Sequence, residues 1–167
     1  MPAAGCPAQP AGCRQNGQMQ IRAFSPADTD AVIELWDACG LTRPWNDPRI
    51  DIERKLRVQP ELFLVGVIPA AGADAAGRHP DIVIASVMAG FDGHRGWVNY
   101  LAVSPDEQGQ GLGRVLMREV ERLLEESGCP KVNLQVRADN AAAFAFYEAL
   151  GYTQDVVVSF GKRLIAD

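Results

Sequence analysis

One run constrains this sequence more than any other: a strand pattern, a glycine-rich turn and a long amphipathic segment follow without a break. Leu101-Ala102-Val103-Ser104-Pro105 closes the strand pattern. Gln108-Gly109-Gln110-Gly111-Leu112-Gly113-Arg114 forms the turn. From Leu112 onward, Leu112, Val115, Leu116, Val120, Leu123 and Leu124 share one helical face, and Gly128 stops the helix near Glu126. Glycines at 109, 111 and 113 remove side chains where backbone N–H groups converge. Converging N–H groups at a helix N-terminus make a cradle for phosphate. Arg114 adds a cation beside it. Two familiar phosphate loops are excluded. A Walker A loop ends in Gly-Lys-Ser/Thr, whereas Gly113 is followed by Arg114-Val115. A dinucleotide fingerprint needs G-x-G-x-x-G, and the spacing here is G-x-G-x-G.

The rest of the chain supplies a sheet for this unit. Met19, Ile21 and Ala23 alternate as a short strand. Ser25-Pro26 opens a helix carrying Ala31, Val32, Leu35, Trp36 and Cys39, which Gly40 stops. A loop over Leu41 to Ile50 leads into a short helix from Pro48 to Val58. Strands are expected over Leu62–Ile68, Ile82–Phe91 and Trp97–Val103, with Ala70–Pro80 as a hairpin loop and Asp92-Gly93 as a turn. Val132, Leu134 and Val136 alternate as a strand, Asn140–Leu150 reads as a helix closed by Gly151, and Val156–Leu164 reads as a last strand or pair of strands. Short loops make the three middle strands antiparallel, while the strand–helix–strand unit that follows demands a parallel, right-handed crossover. The expected architecture is an α/β (α+β) mixed sheet, mostly antiparallel, with one parallel βαβ crossover and helices on both faces. It forms one domain over 19–167. Residues 1–18, rich in Ala, Pro, Gly and Gln, are expected to be a disordered leader, with Met19 as a second candidate start.

Composition narrows the function. The 167 residues are 47% hydrophobic and 22% charged, which is globular. Sixteen basic against 21 acidic residues give a net charge of −5, which argues against a broad nucleic-acid or anionic-membrane surface. No uncharged apolar run nears the roughly 18 residues of a membrane span, and no secretory signal pattern is present. Cys6, Cys13, Cys39 and Cys129 form no Cys-x-x-Cys, and His79 and His94 are the only histidines, so no zinc site is expected. The thiols read as reduced and the compartment as cytoplasmic.

The glycine-rich turn resembles the central motif of the GNAT superfamily of acyl-CoA-dependent N-acyltransferases, Gln/Arg-x-x-Gly-x-Gly/Ala after a Leu-x-Val-x-Pro strand. Gln108 to Gly113 matches each fixed position. A second motif of that family is matched in order and spacing by Asn140, Phe146-Tyr147-Glu148 and Leu150-Gly151-Tyr152. The resemblance spans roughly residues 19–165. Within it, Leu41-Thr42-Arg43-Pro44-Trp45-Asn46-Asp47-Pro48, Asp51-Ile52-Glu53-Arg54-Lys55 and Gly90-Phe91-Asp92-Gly93-His94-Arg95-Gly96 are similar to the bacterial YpeA-type acetyltransferases. That closer resemblance brings no acceptor with it.

The resemblance implies an enzyme that takes acetyl-CoA as cosubstrate, uses no metal and acetylates a primary amine on a small molecule or a protein. It implies that the CoA pyrophosphate sits on the backbone of Gln108, Gly109, Gln110, Gly111, Leu112, Gly113 and Arg114. The pantetheine arm is then expected along Leu101, Ala102 and Val103, with an N–H near Ala102 or Val103 polarising the thioester carbonyl. Tyr147 matches the family's general acid. Its alternative is an aromatic that packs the helix on the sheet. Asn140 either bonds the arm or caps its helix.

No motif gives the acceptor side. The strand Trp97-Val98-Asn99-Tyr100-Leu101 lacks the carboxylate that many relatives carry there. Asp92 and His94 are the candidates for a base, against a plain turn-forming Asp-Gly. Trp45 is a candidate wall of the acceptor pocket, and Asp47, Asp51 and Glu53 are candidates to attract a cationic amine or simply to cap and solvate. Lys162 and Arg163 read as solvated charge or as partners of the CoA 3′-phosphate. A homodimer is common in this family, and no patch in the sequence demonstrates one. The competing function is an acyl-CoA-binding sensor of the same fold without turnover.

Overall fold

A computed structural model describes residues 19–69 and 81–165. The element order is β1 (Gln20–Ala23), α1 (Thr29–Ala38), α2 (Pro48–Leu56), β2 (Phe63–Pro69), β3 (Asp81–Phe91), β4 (Gly96–Val103), α3 (Leu112–Glu126), β5 (Val132–Leu134) and α4 (Ala141–Glu148). Short 3-10 turns occupy Pro26–Asp28, Pro60–Leu62 and Pro105–Glu107. Each begins at a proline, whose fixed φ suits a first helical position.

The five strands lie in sequence order, β1-β2-β3-β4-β5. The first three pairings are antiparallel, and β4–β5 is parallel, joined across α3. This is the mixed sheet that the loop lengths imply. Alternation along the strands divides the core between two faces. Phe63, Val65 and Val67 face Val32, Leu35, Trp36 and Ile52 of α1 and α2. Leu62, Leu64, Val87 and Val98 face Leu116, Met117, Val120 and Leu124 of α3.

Three readings differ from the structure. No strand forms between Val156 and Leu164, and Val156, Val157, Val158, Phe160 and Leu164 are exposed. The segment touches the β5 region through Gln135 Nε2 to Ser159 Oγ at 2.7 Å, and Asp155 just before it accepts from Lys131 Nζ at 2.5 Å. Alternating β-branched residues satisfy a strand pattern, but a strand needs a ladder partner, and β5 ends at Leu134. For the same reason Val136 lies outside β5. Val115 of the expected apolar stripe is exposed, and Met117 takes a buried place in it. The leader over 1–18 and the hairpin loop over 70–80 lie outside the described residues.

Candidate active site

The candidate site lies where β4 stops pairing with β5. Parallel pairing covers only Gly96–Val98 against Val132–Leu134. Beyond Val98, no strand among the described residues pairs with the β5-facing edge of β4. Just beyond Val98, β4 carries a bulge against β3. Ser86 pairs with Ala102 and Met88 with Asn99, so Val87 alone faces both Tyr100 and Leu101. Tyr100 takes φ +51, in the left-handed region. The side chains confirm the slip. In a regular strand Val98, Tyr100 and Ala102 would share a face, yet Val98 packs toward α3 while Tyr100 and Ala102 pack toward α1.

After β4 and the 3-10 turn at Pro105–Glu107 comes the glycine-rich turn. Gly109 and Gly111 adopt φ +78 and +81, a conformation that strains any residue with a Cβ. Gly111 is the N-cap of α3, so the open N–H groups of the first turn follow it directly. Gln108 donates from Nε2 to the Val103 carbonyl at 3.0 Å, and Gln110 donates to Glu107 at 2.9 Å, which fixes the turn against the strand end. Cys39 Sγ also donates to the Val103 carbonyl, at 3.3 Å, and burial pushes this thiol up. Gly113 has a different role from the other two glycines. A Cβ there would meet the Phe146 ring at 3.2 Å and Val103 at 3.7 Å, so it lets α4 approach α3.

Tyr147 follows Phe146 on α4. Its ring meets Phe146 edge-on at 5.0 Å and Tyr152 at 5.7 Å. Burial pushes the Tyr147 phenol up to about 12. Tyr152 donates its hydroxyl to Glu121 at 2.7 Å, and its phenol is raised by burial and by that carboxylate. Asn140 accepts from Ala143 N at 3.0 Å, so its side chain caps α4. Arg114 reaches the Ala149 carbonyl at 3.4 Å and joins the start of α3 to the end of α4.

Residues 29–152 match the Acetyltransferase (GNAT) family. The chain belongs to the GNAT acetyltransferase family. An acetyltransferase of Sodalis glossinidius is 49% identical over 150 residues, covering 89% of this chain and 98% of that protein. Among solved structures, Ard1 from Thermoplasma volcanium superposes with a TM-score of 0.67 at 26% identity, over 81% of this chain and 83% of that one. AAC(6′)-Iy, solved with the bisubstrate analogue CoA-S-monomethyl-acetylneamine, superposes with a TM-score of 0.66 at 17% identity, over 87% and 98% of the two chains. The protein is therefore a GNAT acetyltransferase.

The remaining candidates of this acetyltransferase lie in two other places. Asp92 and His94 sit in the β3–β4 turn. Asp92 accepts from His94 N, Arg95 N and the Trp97 indole at 2.7, 2.7 and 3.1 Å. The backbone N–H groups of Arg95 and His94, then the indole, hold its carboxyl below the usual range. Strand rise of about 3.3 Å per residue puts this turn roughly 15 Å from Tyr100–Ala102. Trp45 is exposed on the loop before α2, and Asp47 caps that helix at Arg49 N. Glu53 pairs loosely with Arg57 at 3.8 Å on the exposed side of α2.

Asp51 is different. Its Oδ2 accepts from the Tyr100 hydroxyl at 2.7 Å and from Asn46 Nδ2 at 2.7 Å. Its Oδ1 accepts from Arg54 at 3.2 Å. Asn46 also accepts from Arg163 at 3.4 Å, which brings the C-terminal segment to this cluster. Tyr100, Asn46, Trp36 and Ser86 escape a reading of the sequence. A non-glycine residue at positive φ leaves no mark there, and the partners are contributed by three separate elements. No group of three or more metal-binding side chains occurs among the described residues, and none of their helices is long and apolar enough to cross a membrane.

Proposed function

We propose that this acetyltransferase moves the acetyl group of acetyl-CoA directly to a primary amine. The carrying observation is the junction of an uncovered β4 edge with a glycine turn that opens α3. Left-handed Gly109 and Gly111 and the first N–H groups of α3 suit an anionic pyrophosphate, with Gln108, Gln110, Leu112, Gly113 and Arg114 framing it. Leu101, Ala102 and Val103 offer backbone to an extended arm, as a sheet edge accepts a strand. An N–H at Ala102 or Val103 polarises the thioester carbonyl. The fold-neighbour AAC(6′)-Iy binds a CoA-derived analogue, which supports the same ligand class here.

In this reading the amine nitrogen bonds to the carbonyl carbon and the carbon–sulfur bond breaks. The nitrogen loses a proton and the sulfur gains one. Tyr147 stands as the relay. A phenol near 12 holds its proton at neutral pH. An alkyl thiolate is a weaker base than that phenolate, so the phenol yields its proton to the sulfur only as it regains one. Tyr147 therefore passes a proton to the departing sulfur while taking one from the nitrogen.

Calorimetric titration of acetyl-CoA against the protein tests the donor half. Micromolar binding by the wild type and none by Gly111→Asp supports the cradle. Absence of binding by the folded wild type would overturn it. A positive titration then justifies screening amines for the acceptor.

A further inference from the structure

Beside the uncovered β4 edge lies one strained residue. Tyr100 occupies the left-handed region with φ +51. A non-glycine residue held there costs about 1–3 kcal/mol and persists only where its surroundings over-determine it. Tyr100 is held by its ring, its carbonyl and its hydroxyl, which also accepts from Asn46 Nδ2 at 3.4 Å. Its ring stacks on the fully buried Trp36 with centroids 4.1 Å apart. Its carbonyl accepts from Ser86 Oγ at 3.4 Å, and Ser86 is fixed in turn by the Trp36 indole at 2.8 Å. Its hydroxyl donates to Asp51 on α2 at 2.7 Å. Asp51 does not slide, because Asn46 and Arg54 hold it from either side. Helix α2 does not slide either. Lys55 donates to the Ala89 and Val58 carbonyls at 2.6 and 2.9 Å, and Gln59 exchanges two hydrogen bonds with Phe91.

We infer that Asp51 is a positioning residue for the thioester arm. Through the Tyr100 hydroxyl it holds the β4 bulge that sets which way Leu101, Ala102 and Val103 present their backbone. This rests on the acetyl-CoA reading above. The physical reason is register. If Tyr100 relaxes to an extended conformation, the bulge closes, and a one-residue slip turns the following residues to the opposite face. The arm then loses its backbone partners. The glycine turn, fixed separately by Gln108 and by the start of α3, keeps its pyrophosphate site.

The test separates the two ends of the ligand. Acetyl-CoA and 3′-phospho-ADP, which has the pyrophosphate and lacks the arm, are titrated against wild type, Tyr100→Phe, Asp51→Ala and Asp51→Asn. A hydrogen bond to a charged group predicts that Tyr100→Phe and Asp51→Ala each weaken acetyl-CoA about tenfold. Both should leave 3′-phospho-ADP unchanged. The double variant should be no weaker than the worse single one, because both act on the arm through the one Tyr100–Asp51 bond. Asp51→Asn, whose amide oxygen still accepts from the hydroxyl, should recover most of the affinity. Tyr100→Phe keeps the stacked ring and carries the test if Asp51→Ala fails to fold. Wild-type affinity for acetyl-CoA in Tyr100→Phe overturns the inference, as does equal weakening of both ligands. A wild type that binds neither ligand overturns the acetyl-CoA reading itself, and the role of Asp51 falls with it.

Discussion

Helices α3 and α4 each follow one of the two parallel strands, yet they are held in opposite ways. Leu112, Leu116, Met117, Val120 and Leu124 of α3 are all buried against the sheet. Helix α4 has no fully buried residue. It is held by aromatic edges at Phe146 and Tyr147, by its Asn140 cap and by Arg114 at its far end. Burial of apolar area is the main source of stability, so α3 anchors the fold. Sparse contacts leave α4 nearer the low-stability end of the molecule. The aromatic hydroxyl proposed for proton transfer stands on the less anchored helix. On the proposed mechanism stability and chemistry are divided between the two, and substitutions on each should fail in different assays.

The largest expected effect is on α4. Tyr147→Phe should lower kcat by about 10²-fold or more, the usual worth of a positioned proton donor, with acetyl-CoA affinity and Tm close to wild type. An equal kcat would remove the proton-transfer role and with it half of the contrast. Burial raises the Tyr147 phenol to about 12, so its proton is bound at lower pH and lost only near that value. The rate should therefore rise with pH as the amine deprotonates, with no fall caused by Tyr147 below about pH 11. A pH–rate profile in wild type and Tyr147→Phe checks this.

Next in size is the anchor. Leu116 is fully buried, and Leu116→Ala should cost about 2–5 kcal/mol in chemical denaturation. The fraction that remains folded should bind acetyl-CoA normally. A loss confined to activity would show that α3 is not the anchor.

Smaller still is the contact between the helices. Gly113→Ala gains up to about 1 kcal/mol of helix propensity. Its new Cβ sits 3.2 Å from the Phe146 ring, so α4 has to shift by a few tenths of an ångström. We expect stability within about 1 kcal/mol of wild type and a several-fold fall in kcat. Unchanged kcat would mean that α4 tolerates displacement and that its placement is not critical.

The cap gives a milder result. Asn140→Ala removes the bond to Ala143 N and should cost about 1 kcal/mol, while Asn140→Ser restores most of it. If Asn140 also bonds the pantetheine arm, Asn140→Ser recovers stability and not acetyl-CoA affinity.

The same contrast explains what could be read from the sequence. Helix α3 was legible because one long periodic stripe fixes both its length and its buried face. The strand directions followed from loop lengths, and the glycine turn from residues that tolerate positive φ. The last strand was not legible, because Val156 to Leu164 carries strand propensity and the pattern cannot say whether a ladder partner exists. The bulge was hidden for a different reason. Its strained residue is a tyrosine, and the groups that hold it, Asp51, Trp36 and Ser86, come from α2, α1 and β3. Non-local polar networks leave no period and no spacing in a single sequence.

The smallest effect is expected at the β3–β4 turn. Asp92 spends its carboxylate on two backbone N–H groups and the Trp97 indole. The same donors hold its pKa down, which makes it a poor acceptor for a proton from an amine. It also lies at the end of β4 where that strand is closed by β5 rather than open. Asp92→Asn and His94→Gln should therefore leave kcat/KM for any identified amine within about twofold of wild type, as surface substitutions usually do. A tenfold fall in either variant, with acetyl-CoA affinity unchanged, would move the acceptor to this turn. The α1–α2 side of the sheet, with Asp51, Asn46 and Trp45, would then keep only a structural part.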